Sequence, residues 1–390
     1  MPFLAGSLAF ERFSVSGFED TFGEEHLELL TQHTAGKVET DSAENTHVGF
    51  LGGMHLFDQE FDLAKNLIND AVHCSVRIDT NQIPSAIRKA WLQMELAAAA
   101  KDSPSGVPTK AQKKEAKEAM EQRCIVEAAT GKYRKMQQFP FLWDQRQSLL
   151  YFGGAAGAAS GHCADLLERV FNVEMRRISS GTIAQSWAQD TDRVAEVDDL
   201  LPACFVPGQH RGQIQWANEH SQAPDFLGNE FLLWLWWTLE NETDTIALSD
   251  STEAIVMLNK TLSLECPNGE SGKETITAEC PIQLPEAIHA LQSGKLPRKT
   301  GMTVVRDGRR FDLVLQAESF AIGGAKIHLD DDEELDANER IDAIRFLSET
   351  TDLMFHAFCE KRIASTWSRD VAQITQWLAS ASNRSNKVAA

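Results

Sequence analysis

The sequence has no Cys-x-x-Cys pair, no Gly-x-Ser-x-Gly elbow, no His-Glu-x-x-His pair and no phosphate loop, which removes the commonest signatures of redox, hydrolytic, zinc-protease and nucleotide chemistry. Its seven cysteines, Cys74, Cys124, Cys163, Cys204, Cys266, Cys280 and Cys359, are odd in number and scattered. That pattern predicts reduced thiols in a cytoplasmic compartment rather than a secreted disulfide framework. Long apolar runs are also missing. The most apolar stretch, Phe231 to Trp237, falls far short of the roughly 20 residues of a bilayer span and predicts a buried helix or a partner surface. No basic residue precedes the apolar start, and Glu11 and Arg12 break it after ten positions, so no signal peptide is expected. The eleven histidines, among them His47, His55, His73, His162, His210 and His220, have no evident pairing.

What is present is an ordinary folded composition. Hydrophobic residues make up 43% and charged residues 24% of the 390, with 24 Gly and 12 Pro, which excludes disorder and collagen-like repeats. The length allows two or three domains of roughly 100 to 200 residues each. Acidic residues outnumber basic ones by 57 to 37, a net charge of -20, so the mean field repels polyanions. The basic minority is clustered. Nine bases (Lys101, Lys110, Lys113, Lys114, Lys117, Arg123, Lys132, Arg134, Lys135) face five acids between residues 101 and 135, and six (Lys295, Arg298, Lys299, Arg306, Arg309, Arg310) face only Asp307 between 295 and 310. With a Debye length of about 8 Å at physiological salt, such patches act almost independently of the acidic remainder.

Periodicity predicts strands over 4–15, 71–78 and 147–152 and a helix over 24–31. A helical hairpin spans about 83–124, opened by Pro84, broken at 101–108 and restarted by Thr109 as N-cap. The Gly49 to Gly53 stretch reads as a turn. A Trp-rich helix follows over 226–239, then strands near 254–258, 261–265 and 274–279, a helix over 286–292, and a meander over 302–305, 311–315 and 319–327 with Asp307-Gly308 as a tight turn. Helices are predicted over 336–362 and 365–378. The fold class is therefore α+β, with antiparallel sheets, flanking helices and a charged helical hairpin. The predicted organisation is an N-terminal half (1–188), a polar connecting segment (189–224), a C-terminal half (225–365) and a helical extension (366–390).

Three local patterns invite chemistry. The Gly153 to Gly161 loop lies between a strand and a helix, where a nucleotide could bind, but its glycines lack the dinucleotide spacing. Cys266 and Cys280 flank turn residues that could bring them together, without the two further ligands a zinc site requires. The acidic run Asp330 to Asp336 lacks the sixth-position Gly of a calcium loop and reads as the start of a helix. No cofactor or metal is expected.

The short first strand, the Gly49-Phe50-Leu51-Gly52-Gly53 turn, Val72 to Ile78, Pro84 before Ile87-Arg88, the lysine-rich second arm, the Trp-rich helix, Ala290 to Lys295 before paired strands, and the terminal helix with Phe346, Leu353 and Phe355 occur in one order. That order, over roughly residues 1 to 365, resembles the recombination-associated protein RdgC family. The resemblance implies a non-enzymatic, nucleoid-associated protein that binds double-stranded DNA without sequence preference, as a ring-shaped homodimer that restrains recombinase-driven strand exchange. It carries DNA contact over to Arg88, Lys113, Lys114, Lys117, Lys295 and Lys299; local charge adds Lys132, Arg134, Lys135, Arg298, Arg309 and Arg310. The chain departs from the family in having Gly52 and Gly53 where prolines are usual, in lacking an early basic residue in the first strand, and in being longer around 190–225 and after about 365. Two alternatives remain at this level: a nucleotide-binding enzyme using the Gly153–Gly161 loop, and an interaction module presenting the Trp-rich helix.

Overall fold

A computed structural model describes residues 3–36, 46–103, 106–154, 157–206, 214, 223–267, 272–328 and 335–388, with side chains to residue 380. The acidic run at 330–334, residues 155–156 of the glycine loop and most of 207–222 lie outside the described residues.

The strands join into one antiparallel sheet in the order β10-β9-β11-β12-β13-β1-β6-β5-β4-β2. The continuity depends on β1 (Leu8–Ser16): Leu8 and Phe10 pair with Ala325 and Ile322 of β13 (Ile322–His328), whereas Glu11 to Ser14 pair with β6 (Leu149–Phe152). Its far half also pairs with β7 (Glu174–Arg177). On the N-terminal side lie β2 (Thr46–Leu51), β4 (Ala71–Thr80) with the two-residue β3 (Leu67–Ile68), and β5 (Lys135–Asp144). On the C-terminal side lie β9 (Glu253–Glu265) with β8 (Thr245–Ala247), β10 (Glu274–Ala278), β11 (Leu296–Arg306) and β12 (Arg309–Gln316).

Alternation along the strands fixes two cores, because successive side chains take opposite faces. In β4, Val72, Cys74, Val76 and Ile78 face α1 (Glu24–Gln32) and α5 (Ala158–Phe171). The other face of β4 carries His73, Ser75, Arg77 and Asp79, also buried. It lies beneath residues 52–66, where α2 (Leu63–Asn66) holds Asn66 Nδ2 against the His73 and Gly52 carbonyls at 2.8 Å each. In the C-terminal half, Met302, Val304, Phe311, Leu313 and Leu315 pack with α8 (Phe226–Asn241) and α10 (Ala337–Ile363). α6 (Ser180–Asp190), α7 (Val194–Asp198), α9 (Pro285–Gln292) and α11 (Trp367–Val388) lie on the same side. α10 crosses to the N-terminal strands on arginines. Arg12 of β1 donates to both Asp352 carboxylate oxygens and to Ser348 at 2.6 Å, and Arg345 donates to Asp144 at 2.6 and 3.1 Å.

Several sequence expectations change. Gly49-Phe50-Leu51 belongs to strand β2, not to a turn; Gly49 is required because a Cβ there would lie 2.5 Å from Ala35 Cα. β5 escaped the sequence reading because of Pro140, which the strand tolerates since β6 ends opposite Phe141 and leaves no donor needed at Pro140. The two strands expected at 254–258 and 261–265 are one strand, β9. A bulge at Lys260 (φ +63) interrupts it where Gly301 of β11 approaches the Asn259 carbonyl. β7 and α6 were not foreseen. The Trp-rich helix is not a presented surface: Phe226 to Thr238 of α8 are all buried, with Trp236 fully so.

Candidate nucleic-acid interface

The helical hairpin is inserted between β4 and β5, which pair without a break from Ala71 with Asp144 to Thr80 with Lys135. Its arms, α3 (Ser85–Lys101) and α4 (Lys110–Ala129), are about 26 and 30 Å long at 1.5 Å per residue. Thr109 caps α4 reciprocally with Gln112: its hydroxyl accepts the Gln112 N–H at 3.3 Å, and its own N–H donates to the Gln112 side chain at 2.9 Å. The arm has its own small core of Ile83, Trp91, Met120 and Ala128, with the Arg123 guanidinium 4.6 Å above the Trp91 ring. Residues 83–135 hold eleven basic and six acidic residues, a local +5 in a chain of -20.

Lys110, Lys113, Lys114 and Lys117 fall within an arc of about 100° on α4, and all four are exposed. Lys114 and Lys117 lie 3.5 and 3.7 Å from Glu118 and Glu121 one turn on. Such exposed pairs are worth little and exchange readily for phosphate contacts. At the root, Arg88 is exposed, Lys132 lies 5.6 Å from the Tyr133 ring, and Lys135 begins β5 exposed. Arg134 is committed elsewhere: it pairs with buried Asp79, which Arg77 also meets at 3.0 Å.

The second cluster divides. Lys295, expected to contact DNA, is buried and paired with Glu274 of the edge strand β10. Arg298 bridges Glu265 at 2.9 Å and Glu318 at 2.8 Å. The acids that claim these two cations lie 20 to 33 positions away in sequence, which a local charge count cannot see. Arg309 stacks 4.7 Å over Phe346 of α10 on the core side, the side of its strand partner Arg306. Lys299 and Arg310 occupy the opposite face, which no helix packs against among the described residues. Lys299 pairs with Gln316 and Arg310 with Val305, so six positions, about 20 Å, separate them along the strands. Strand directions place the Arg309–Arg310 turn at the same end of the sheet as the helical arm, and Lys295 to Lys299 at the other end. The twelve expected residues therefore do not form one lining.

The open sheet face also carries two cations outside the expected set, Lys260 and Lys326, together with His328. They surround Asp312, which accepts hydrogen bonds from Lys260 (2.5 Å) and Thr303 (2.6 Å) and lies 3.1 Å from His328 Nε2. Burial alone would raise the Asp312 pKa, but these donors hold it well below the usual carboxylate range. Ile255 and Met257, 49% and 58% exposed, lie on the same face. The detectable signal was period-2 alternation in 299–305 and 310–316, which assigns Lys299 and Arg310 to one face and Arg306 and Arg309 to the other.

The alternative chemical sites are not assembled. β6 is antiparallel to both neighbours, unlike the strand of a dinucleotide fold. Behind the first turn of α5 lies a carboxylate, that of buried Glu11, 3.0 Å from Arg177, which also donates to Ser160 at 2.8 Å. Burial raises the Glu11 pKa; a phosphate brought to this helix start would meet another acid. Gly153 is needed for packing, since a Cβ would lie 2.7 Å from Pro140. Ala278 lies opposite Lys260, so Cys266 and Cys280 stand at opposite ends of the β9–β10 pair, at least six positions or about 20 Å apart. Among the described residues no group of three or more His, Cys, Asp or Glu could hold a metal ion, and no helix is long and apolar enough to cross a membrane. No protein-family model matches the chain, and no curated protein matches it.

Proposed function

We propose that the chain binds double-stranded DNA without reading its sequence, as a binding protein rather than an enzyme, through phosphate contacts from the α3–α4 arm and the open face of the C-terminal sheet. Charge segregation carries the reading: an arm of +5, its lysines exposed along one arc of α4, stands out from a chain of -20. Lysine and arginine on a projecting helix suit contact with the phosphate backbone, which carries no sequence information. The acidic remainder limits contact to these surfaces. The resemblance to the RdgC family supports the same reading and extends it to a homodimeric ring around the duplex, to restraint of recombinase-driven strand exchange, and to a cytoplasmic, nucleoid-associated location.

Mobility shift with unrelated duplexes over a salt series tests the DNA part. Each phosphate contact contributes about -0.9 to the slope of log affinity against log salt, so combining Lys113→Ala, Lys114→Ala and Lys117→Ala is expected to flatten the slope by about 2.7. Absence of binding at about 50 mM salt, or binding indifferent to salt, refutes the proposal.

A further inference from the structure

Between β2 and α2, residues 52–62 hold Met54 and Phe57 out into solvent, 60% and 66% exposed, on a backbone tied down from beneath. Buried Asp58 accepts from the Met54 N–H at 2.9 Å, the Glu60 N–H at 3.3 Å and Lys65 Nζ at 2.8 Å, and Arg77 donates to the Leu56 carbonyl at 3.2 Å. Gly52 is locked in place, since a Cβ would lie 2.2 Å from the Glu60 carbonyl oxygen. A loop fixed in this way presents large apolar side chains with little ordering entropy left to lose on binding. Its surroundings are acidic: Glu60 and Asp62 are exposed beside it.

A surface of the opposite character lies at the root of the arm. A groove of about 290 Å³ is lined by Ile83, Cys124, Ile125 and Ala128, with Arg88 at its rim. Ile125 is 58% exposed, and Val126 beside it 66%. Lys89 and Lys132, also exposed at this end of the arm, make the surroundings basic.

We propose that these two surfaces meet between two copies of the chain, with the Phe57 loop of one copy seated in the arm-root groove of its partner and the contact repeated about a two-fold axis. A two-fold contact of this kind is made twice per dimer, which doubles the buried area. Loop against loop would oppose acid to acid, and arm against arm base to base; only the crossed arrangement joins opposite signs around apolar centres. The inference rests on the homodimeric part of the preceding reading and specifies its surface. It also moves Arg88 from DNA contact to self-contact.

Sedimentation velocity of the full chain tests it. Phe57→Ser and Ile125→Asp are each expected to raise the dimer dissociation constant about thirtyfold or more, the effect of losing an interface anchor. Arg88→Glu weakens association, and adding Glu60→Arg restores it. All four side chains are exposed, so circular dichroism and thermal midpoints stay as in the parent chain. If Phe57→Ser dimerises as the parent does, this contact is overturned while the dimer stands. If the parent is monomeric at every accessible concentration, both fall, and the salt-dependent mobility shift decides the DNA reading separately.

Discussion

Acidification should destabilise the fold through His73. This residue lies on the polar face of β4, wholly buried, with no protein group hydrogen-bonded to either ring nitrogen and its ring centroid 6.3 Å from that of Phe3 in an edge-on arrangement. Burial pushes its pKa down from 6.5 to about 4. The folded state thus binds the proton less readily than the unfolded chain. The stability contributed by the neutral imidazole is complete above about pH 6.5 and is lost as pH falls towards 4. A shift of this size is worth about 2.5 kcal/mol at pH 4.5 and about 3 kcal/mol once titration is complete. His356, whose pKa burial also lowers, acts in the same direction, and Glu11 and Glu230, raised by burial, act in the opposite one. The clean quantity is therefore a difference between chains. Urea unfolding of the parent and of His73→Leu at pH 7.5 and pH 4.5 gives it. The variant is expected to gain about 2.5 kcal/mol on the parent between the two pH values. An unchanged gap would refute the placement of His73 as a buried imidazole without a protein hydrogen-bond partner.

Two further predictions concern the seam and the corrected site. Arg12→Ala leaves Asp352 without its guanidinium partner at the junction of the two halves and should cost about 3 to 5 kcal/mol in chemical unfolding; a loss under about 1 kcal/mol would mean that α10 is held by other contacts. Lys299→Ala should flatten the salt dependence of DNA affinity by about 0.9, whereas Lys295→Ala should leave the slope unchanged because its charge is already met by Glu274. Equal effects of the two substitutions would refute the face assignment.

The helical arm was legible because its signals are local: Pro84 and Thr109 mark helix starts, and lysines recur at helical spacing. The Asp307-Gly308 turn was legible for the same reason, both residues taking positive φ (48° and 75°) in the β11–β12 hairpin. β5 was not, because whether Pro140 is tolerated depends on where β6 stops. The ion pairs of Lys295 and Arg298 were not legible, because their acids arrive from β10, from β9 and from the turn between β12 and β13. Lys260 was passed over because it sits in a bulge, where the alternation of β9 is interrupted. The paired face of Lys299 and Arg310 could be recovered from period-2 alternation; the separation of Cys266 from Cys280 required the register of β9 with β10.

β1 also constrains the order of assembly. Its first residues are synthesised well before the strand they meet: Leu8 finds its neighbour at Ala325, 317 positions later. Loop closure over such a span is slow compared with hairpin formation. During synthesis, β6 can engage the far half of β1 long before β13 emerges to cover the near half. Until then, Leu8 and Phe10 stand on an open strand edge, the kind of surface on which nascent chains stick to one another. Efficient production of this protein therefore depends on how quickly residues 322–328 follow, or on a chaperone that shields that edge in the interval.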